Sequence, residues 1–285
     1  MILVITNKRD ITSDLIIYRL KQLEYEYYRL NTEDIGLNTL LTLNIKHNDF
    51  IIYDKNQGKQ YHSSSFKSIY FRRPDLPSYD HFKISCEEIL FLKKEVSFLL
   101  EGLYSILKNN YWISYPEKIK LAENKVYQLL LAQQIGFLTP KTIISNNYED
   151  CLKFLDNQFK ITKAIKSGLV EYNQFQSFIY SNKVSKDSIS SEDSHPILLQ
   201  DLILKKSDIR VTVIEDQVYS VSINSNKANS DWRKLDVNDI NYERHSLPES
   251  IEYYSIQLLQ SLSLKFGAID FILDDENNPN NIIPG

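Results

Sequence analysis

Two stretches of this sequence carry residue types and spacings suited to phosphate and metal chemistry: PILLQDLILKKSDIRVTVI (residues 196–214) and FGAIDFILDD (residues 266–275). In the first, Asp208 and Arg210 flank Ile209, so strand alternation puts the two charged residues on one face, opposite Ile209 and Val211. An arginine there can stabilise charge on a transferring phosphoryl group; it can equally form a cross-strand ion pair. In the second, Asp270 interrupts an apolar run, and a carboxylate buried in a strand needs a partner. A magnesium ion with phosphate oxygens is one such partner.

Two lysines extend the set. Lys125 follows Ala-Glu-Asn at a helix start, and Lys163 interrupts the strand-like ITKA. Lysines from different elements can meet phosphate oxygens as point charges, although each alone also reads as a solvated surface cation. Gln200, Asp201, Leu202 and Ile203 link two strand-like segments, where backbone N–H and C=O groups can meet an adenine edge and an acid can hold a ribose. Asp231-Trp232-Arg233 follows a polar loop and reads on its own as a turn with a surface tryptophan. The sequence has no GxGxxG and no GxxxxGK[ST], so neither a dinucleotide fingerprint nor a P-loop is indicated. The five histidines are scattered without ligand spacing, and Cys86 and Cys151 form no CxxC pair, so no zinc site or thiol nucleophile is indicated.

The elements that position these residues form a long α/β sequence. The 285 residues, with 42% hydrophobic and 25% charged, are enough for two or three compact lobes. A net charge of −4 argues against a general nucleic-acid binder. The short apolar run in MILVITNKRD reads as a first strand rather than a signal peptide, and no stretch has the length of a membrane span, so a cytoplasmic protein is expected. Periodicity predicts β-α-β at the start, with Leu15, Ile16, Leu20 and Leu23 on the buried helix face. It further predicts a hairpin around residues 47–49, a helix over 84–108, and one helix over 117–135 ended by Gly136. Residues 184–195, rich in Ser, Asp and Lys, read as a solvated loop. The expected division is an N-terminal lobe at 1–115, a small central lobe at 116–198 and a C-terminal lobe at 199–285.

In order and spacing, these pieces resemble the ATP-grasp peptide maturases, the microviridin-type and graspetide ligases. The landmarks are ILVITNKRDITSD, YFRRPDLP, YPEKIKLAENKVYQLLLAQQIGFLTPKT, ITKAIKSG, LLQDLILKKSDIRVTVI, DWRKLD and FGAIDFIL, spanning nearly the whole chain. The resemblance implies an α/β ATP-grasp fold of three lobes, with ATP and Mg2+ as cofactors. It implies ATP contacts from Lys125, Lys163, Gln200, Asp201, Leu202, Ile203 and Asp208, Arg210 as the catalytic cation, and Asp270 as a magnesium ligand. Arg72, Arg73, Asp231 and Arg233 are then substrate residues. The partner it implies is a ribosomal precursor peptide, not nucleic acid or membrane, and it is compatible with a homodimer. The implied activity is activation of Asp or Glu side chains as acyl phosphates, followed by ester or amide ring closure. Alternatives are a ligase acting on a small amino acid or protein terminus, and a catalytically impaired peptide-binding module.

One departure stands out. The resembled enzymes follow the Asp strand with a strand carrying Glu and then Asn. Here DDENNPNNIIPG sets Ile282, Ile283, Pro284 and Gly285 near the expected Glu, with Glu276, Asn280 and Asn281 in what reads as the turn. The expectation is an incomplete C-terminal lobe that binds ATP weakly and turns over slowly.

Overall fold

The computed structural model describes residues 1–156, 159–166, 169–172, 175–178, 180–192, 195–225, 236–274 and 282–284. The chain divides into two compact units, Met1–Glu117 and Lys118–Gly285.

The first unit begins with β1 (Ile2–Thr6), α1 (Ile11–Gln22) and β2 (Tyr27–Asn31). An antiparallel sheet follows, built from β3 (Thr39–Asn44), β4 (Asp49–Asp54) and β5 (Lys59–His62). Then come β6 (Ser68–Phe71), α2 (Cys86–Ile106) and β7 (Tyr111–Ile113), which complete a parallel sheet in the order β2-β1-β6-β7. The ILVIT run forms β1 because a central parallel strand is covered on both faces; Leu3, Val4 and Ile5 are fully buried. Helix α2 starts at a capping box, with Ser85 accepting from the Glu88 N–H and Glu88 from the Ser85 N–H.

Helix α1 forms as predicted but is turned the other way. Its buried residues are Ser13 and Ile17, while Leu15 is 65% exposed and Leu23 49% exposed. The phase is set by Asp10, whose carboxylate caps the helix at Ser13 N–H, accepts from Thr6 and Ser13 hydroxyls, and pairs with Arg72 Nε at 3.1 Å. Burial pushes the Asp10 carboxyl up, but the hydrogen bonds from Ser13, Arg72 and Thr6 and the Arg72 charge outweigh it and hold the group below its ordinary value.

In place of the single helix over 117–135 there are two, α3 (Pro116–Ala122), spanning the junction of the units, and α4 (Lys125–Ile135). Asn124 breaks the run: its side-chain oxygen accepts from the N–H groups of Val126 and Tyr127, which starts a new helix. Gly136 ends α4 at φ 113°, a left-handed conformation that favours glycine.

The second unit holds two main sheets. The smaller contains β8 (Thr142–Ser145), β9 (Lys160–Lys163), β12 (Asn182–Val184) and β13 (Ile197–Asp201) in the order β12-β9-β13-β8, with α5 (Tyr148–Leu155) against it and a hairpin of β10 (Leu169–Tyr172) and β11 (Phe175–Phe178) between β9 and β12 in sequence. The larger has the order β16-β15-β14-β17-β18, from β14 (Lys205–Ile214), β15 (Gln217–Ser225), β16 (Ile240–Arg244), β17 (Phe266–Asp274) and β18 (Ile282–Pro284). Helix α6 (Glu249–Ser261) joins β16 to β17 and, with α4, covers one face of this sheet. Ile209, Val211, Val213 and Phe271 are fully buried on that face. Alternation therefore turns Asp208, Arg210 and Asp270 to the other face.

Candidate functional site

Arg210 and Asp270 are direct cross-strand partners on the antiparallel pair β14 and β17. Arg210 Nη1 donates to Asp270 Oδ1 at 2.7 Å. Both reach solvent, at 39% and 26% side-chain exposure. Of the two open readings of Arg210, the cross-strand ion pair forms, and it stands on the face of the sheet away from α4 and α6. Asp208 lies two positions from Arg210 on the same strand and pairs with Lys205 Nζ at 2.6 Å.

In the smaller sheet Gln200 is the centre of a polar chain. It is 3% exposed. Lys163 Nζ donates to Gln200 Oε1 at 3.0 Å, and Gln200 Nε2 donates to Thr142 Oγ1 at 2.9 Å. The Lys163 cation thus has an acceptor inside its sheet, which answers the cost of placing a charge in that strand. Asp201, last in β13, pairs with Lys160 Nζ at 2.7 Å. Leu202, Ile203 and Leu204 lie between β13 and β14 in neither strand, and among the described residues their backbone N–H and C=O groups bond to no other backbone group. These are groups still able to meet a ligand edge.

Lys125 does something its sequence position did not suggest. Its ammonium donates to the carbonyls of Ala164 and, at 2.9 Å, Lys166. Lys125 N–H also bonds to Ile165 O. The start of α4 therefore holds the chain just after β9.

Arg72 and Arg73 belong to the first unit, at the end of β6. Arg72 is held by Asp10. Arg73 is exposed at φ 44°, and its carbonyl accepts from Asn7 Nδ2 at 2.6 Å. Asp231 and Arg233 lie outside the described residues, as do Glu276, Asn280 and Asn281. Beyond that gap, β18 pairs antiparallel with β17, Ile282 opposite Leu273 and Ile283 opposite Ile272. Among the described residues no group of three or more His, Cys, Asp or Glu could hold a metal ion by itself. Burial pushes the Cys151 thiol up, which disfavours the thiolate. Sequence reasoning missed Lys160 and Thr142; both were invisible without the register that sets Asp201 opposite Lys160 and Gln200 opposite Thr142.

Residues 122–282 match the RimK-like ATP-grasp domain. This chain belongs to that family. The matched segment contains α4, the strands from β8 to β17 and the residues Lys125, Lys163, Gln200, Arg210 and Asp270. No curated protein matches the sequence. Among the solved structures that resemble the fold are the following three. The macrocyclase MdnC bound with precursor peptide MdnA, from Microcystis aeruginosa, superposes with a TM-score of 0.84 at 21% identity, over 99% of this chain and 89% of MdnC. A RiPP-associated ATP-grasp ligase from Chryseobacterium gregarium, in complex with ADP and a leader and core peptide, gives 0.84 at 22% identity, over 100% and 87%. The ATP-grasp ligase PsnB, complexed with minimal precursor, Mg and ADP, gives 0.76 at 16% identity, over 100% and 87%. The ATP-grasp ligase reading of the sequence therefore holds at the level of family and fold. No helix among the described residues is long and apolar enough to cross a membrane.

Proposed function

We propose that this chain uses ATP to activate Asp or Glu side chains of a ribosomally made precursor peptide and closes intramolecular ester or amide links. The observation that carries the reading is the Arg210–Asp270 pair on β14 and β17, with β14 following directly on the Leu202–Leu204 segment. The solved neighbours support the peptide substrate: their own complexes contain precursor, leader or core peptides.

In this reading the Leu202–Leu204 backbone meets the adenine, Lys163 and Lys125 lie toward the phosphates, and Asp208 toward the ribose. A peptide carboxylate oxygen attacks the γ-phosphorus, the bond to the β-phosphate oxygen breaks, and ADP leaves. A Ser or Thr hydroxyl, or a Lys amine, of the same peptide then attacks the acyl carbon. The carbon–oxygen bond to phosphate breaks, and inorganic phosphate leaves carrying the proton that the nucleophile gives up. Arg210 stabilises the negative charge that develops on the transferring group. Lys125, through its bonds to the Ala164 and Lys166 carbonyls, also positions the chain after β9. Arg72, Arg73, Asp231 and Arg233 are assigned to the peptide; of the first two, Arg73 has its guanidinium directed to no acid among the described residues.

Asp270 supplies one hard carboxylate to a metal. Magnesium is commonly bound by one or two carboxylates with substrate phosphates and waters, so the residue fits an ion held chiefly by the nucleotide. When bound, that ion neutralises charge on the phosphate oxygens. The same proposal places the protein in the cytoplasm and is compatible with a homodimer.

Hydroxylamine tests the activation step. With ATP, magnesium and peptide, it is expected to trap hydroxamates at peptide Asp or Glu residues. Ring closure that proceeds with no trapped hydroxamate at any concentration of hydroxylamine would contradict the acyl phosphate.

A further inference from the structure

Lys160 is a buried cation with a defined set of contacts. The residue is 6% exposed. It sits directly opposite Asp201 in the β9·β13 ladder, and its ammonium lies 2.7 Å from Asp201 Oδ1. It also lies 5.2 Å from the centroid of the Phe154 ring, from α5. Lys141 Nζ reaches the same ring at 5.8 Å, and the Lys141 carbonyl accepts the Asp201 N–H at 3.0 Å. Asp201 is therefore fixed through its side chain by β9 and through its backbone by the residue just before β8. The three residues after it, Leu202–Leu204, are in neither strand.

The Lys160 side chain is 8% exposed and that of Asp201 34%, and a pair of this kind is a poor device for stability, because desolvating the buried cation offsets much of its attraction to the carboxylate. Its use here is geometric. The pair fixes the last residue before a segment whose backbone groups remain available, so it sets where that segment's N–H and C=O groups point. We infer that Lys160 is a positioning residue for the nucleotide base: by holding Asp201 it places the Leu202–Leu204 backbone to match the donor and acceptor edge of adenine. Lys160 touches no nucleotide in this scheme. It acts through Asp201, and its effect is on discrimination between bases. The inference rests on the reading of the chain as ATP-dependent and needs no assumption about the peptide.

The test is a titration of the full chain with N-methylanthraniloyl-labelled ATP and GTP in the presence of magnesium, without peptide. The wild type is expected to prefer the adenine nucleotide. Lys160→Met is expected to lower the ATP-to-GTP affinity ratio by roughly tenfold, the scale of losing one net hydrogen bond, and Lys160→Arg to restore most of it. A role in stability alone would change the fraction folded and leave the ratio untouched. If Lys160→Met fails to fold because Asp201 is left without its cation, the double variant Lys160→Met/Asp201→Leu removes both charges; it is expected to fold and still show the reduced ratio. A wild-type ratio in either folded variant overturns the proposal, as does a wild type that binds both nucleotides equally. A wild type that binds neither overturns the nucleotide reading with it. A chain that binds ATP selectively but leaves every peptide unchanged overturns only the macrocyclase reading.

Discussion

Arg210 Nη1 and Asp270 Oδ1 are 2.7 Å apart, on residues that face each other directly across β14 and β17. A partly exposed pair of this kind contributes about 0–1 kcal/mol to stability, so it adds little to folding. Arg210→Met is expected to leave the unfolding midpoint nearly unchanged while lowering kcat by about 10²–10³-fold, the cost of removing one preorganised electrostatic contact. Denaturation curves and steady-state ADP release on the same preparation check this. A large loss of stability with proportionate loss of activity would reassign the pair to structure.

Gln200 connects Lys163 to Thr142 from a buried position. Gln200→Leu removes an acceptor from Lys163 and a donor to Thr142 without opening a large cavity. The expected destabilisation is about 1–3 kcal/mol. The KM for ATP should rise more than kcat falls, because the displaced group, Lys163, is a ground-state phosphate contact in this account.

Asp10 gives a pH dependence. Its folded pKa lies below the ordinary 3.8, so the unfolded chain takes up the proton more readily. The stabilisation is fully present above that ordinary value and is lost as pH falls through the lower folded value. Asp10→Asn should cost about 1–3 kcal/mol at neutral pH, where the charged hydrogen bond to Arg72 is lost. The gap between variant and wild type should close as pH falls below 3.8. Urea denaturation across pH checks it; a gap independent of pH would mean that the Arg72 contact contributes nothing as a charge pair.

Gly136 holds φ 113°, and a Cβ built there would stand 3.2 Å from the Tyr254 hydroxyl. Gly136→Ala combines left-handed strain with crowding of α6. It should cost about 1 kcal/mol or more, lowering Tm by about 2–4 °C for a unit of this size. An unchanged Tm in calorimetry would contradict both the left-handed strain and the crowding of Tyr254.

Much of this was legible in the sequence, and what was not follows a pattern. The opening β-α-β came from an unbroken apolar run and α2 from the apolar periodicity over 84–108, both local signals. The face of α1 was misread because apolar residues surround that helix, leaving Ser13 and Ile17 buried and Leu15 exposed; the choice was made by Asp10 and Arg72, 62 residues apart. The split between α3 and α4 was missed although Asn124 carried a signal, since asparagine favours a helix N-cap over a helix interior. In the site, residue types at Lys163, Arg210 and Asp270 were readable as charges in apolar strands. Their partners were not, since the opposition of Arg210 to Asp270 and of Lys160 to Asp201 depends on strand register across distant parts of the chain.

The most direct measurement of the central claim is the mass of a peptide before and after reaction. The chain, ATP and magnesium are incubated with a candidate precursor peptide carrying Asp or Glu together with Ser, Thr or Lys. The account predicts ADP formation and the loss of one water from the peptide for each link, neither occurring when ATP is omitted or in Arg210→Met. ADP formed with a peptide of unchanged mass, or water lost without ATP, would contradict it.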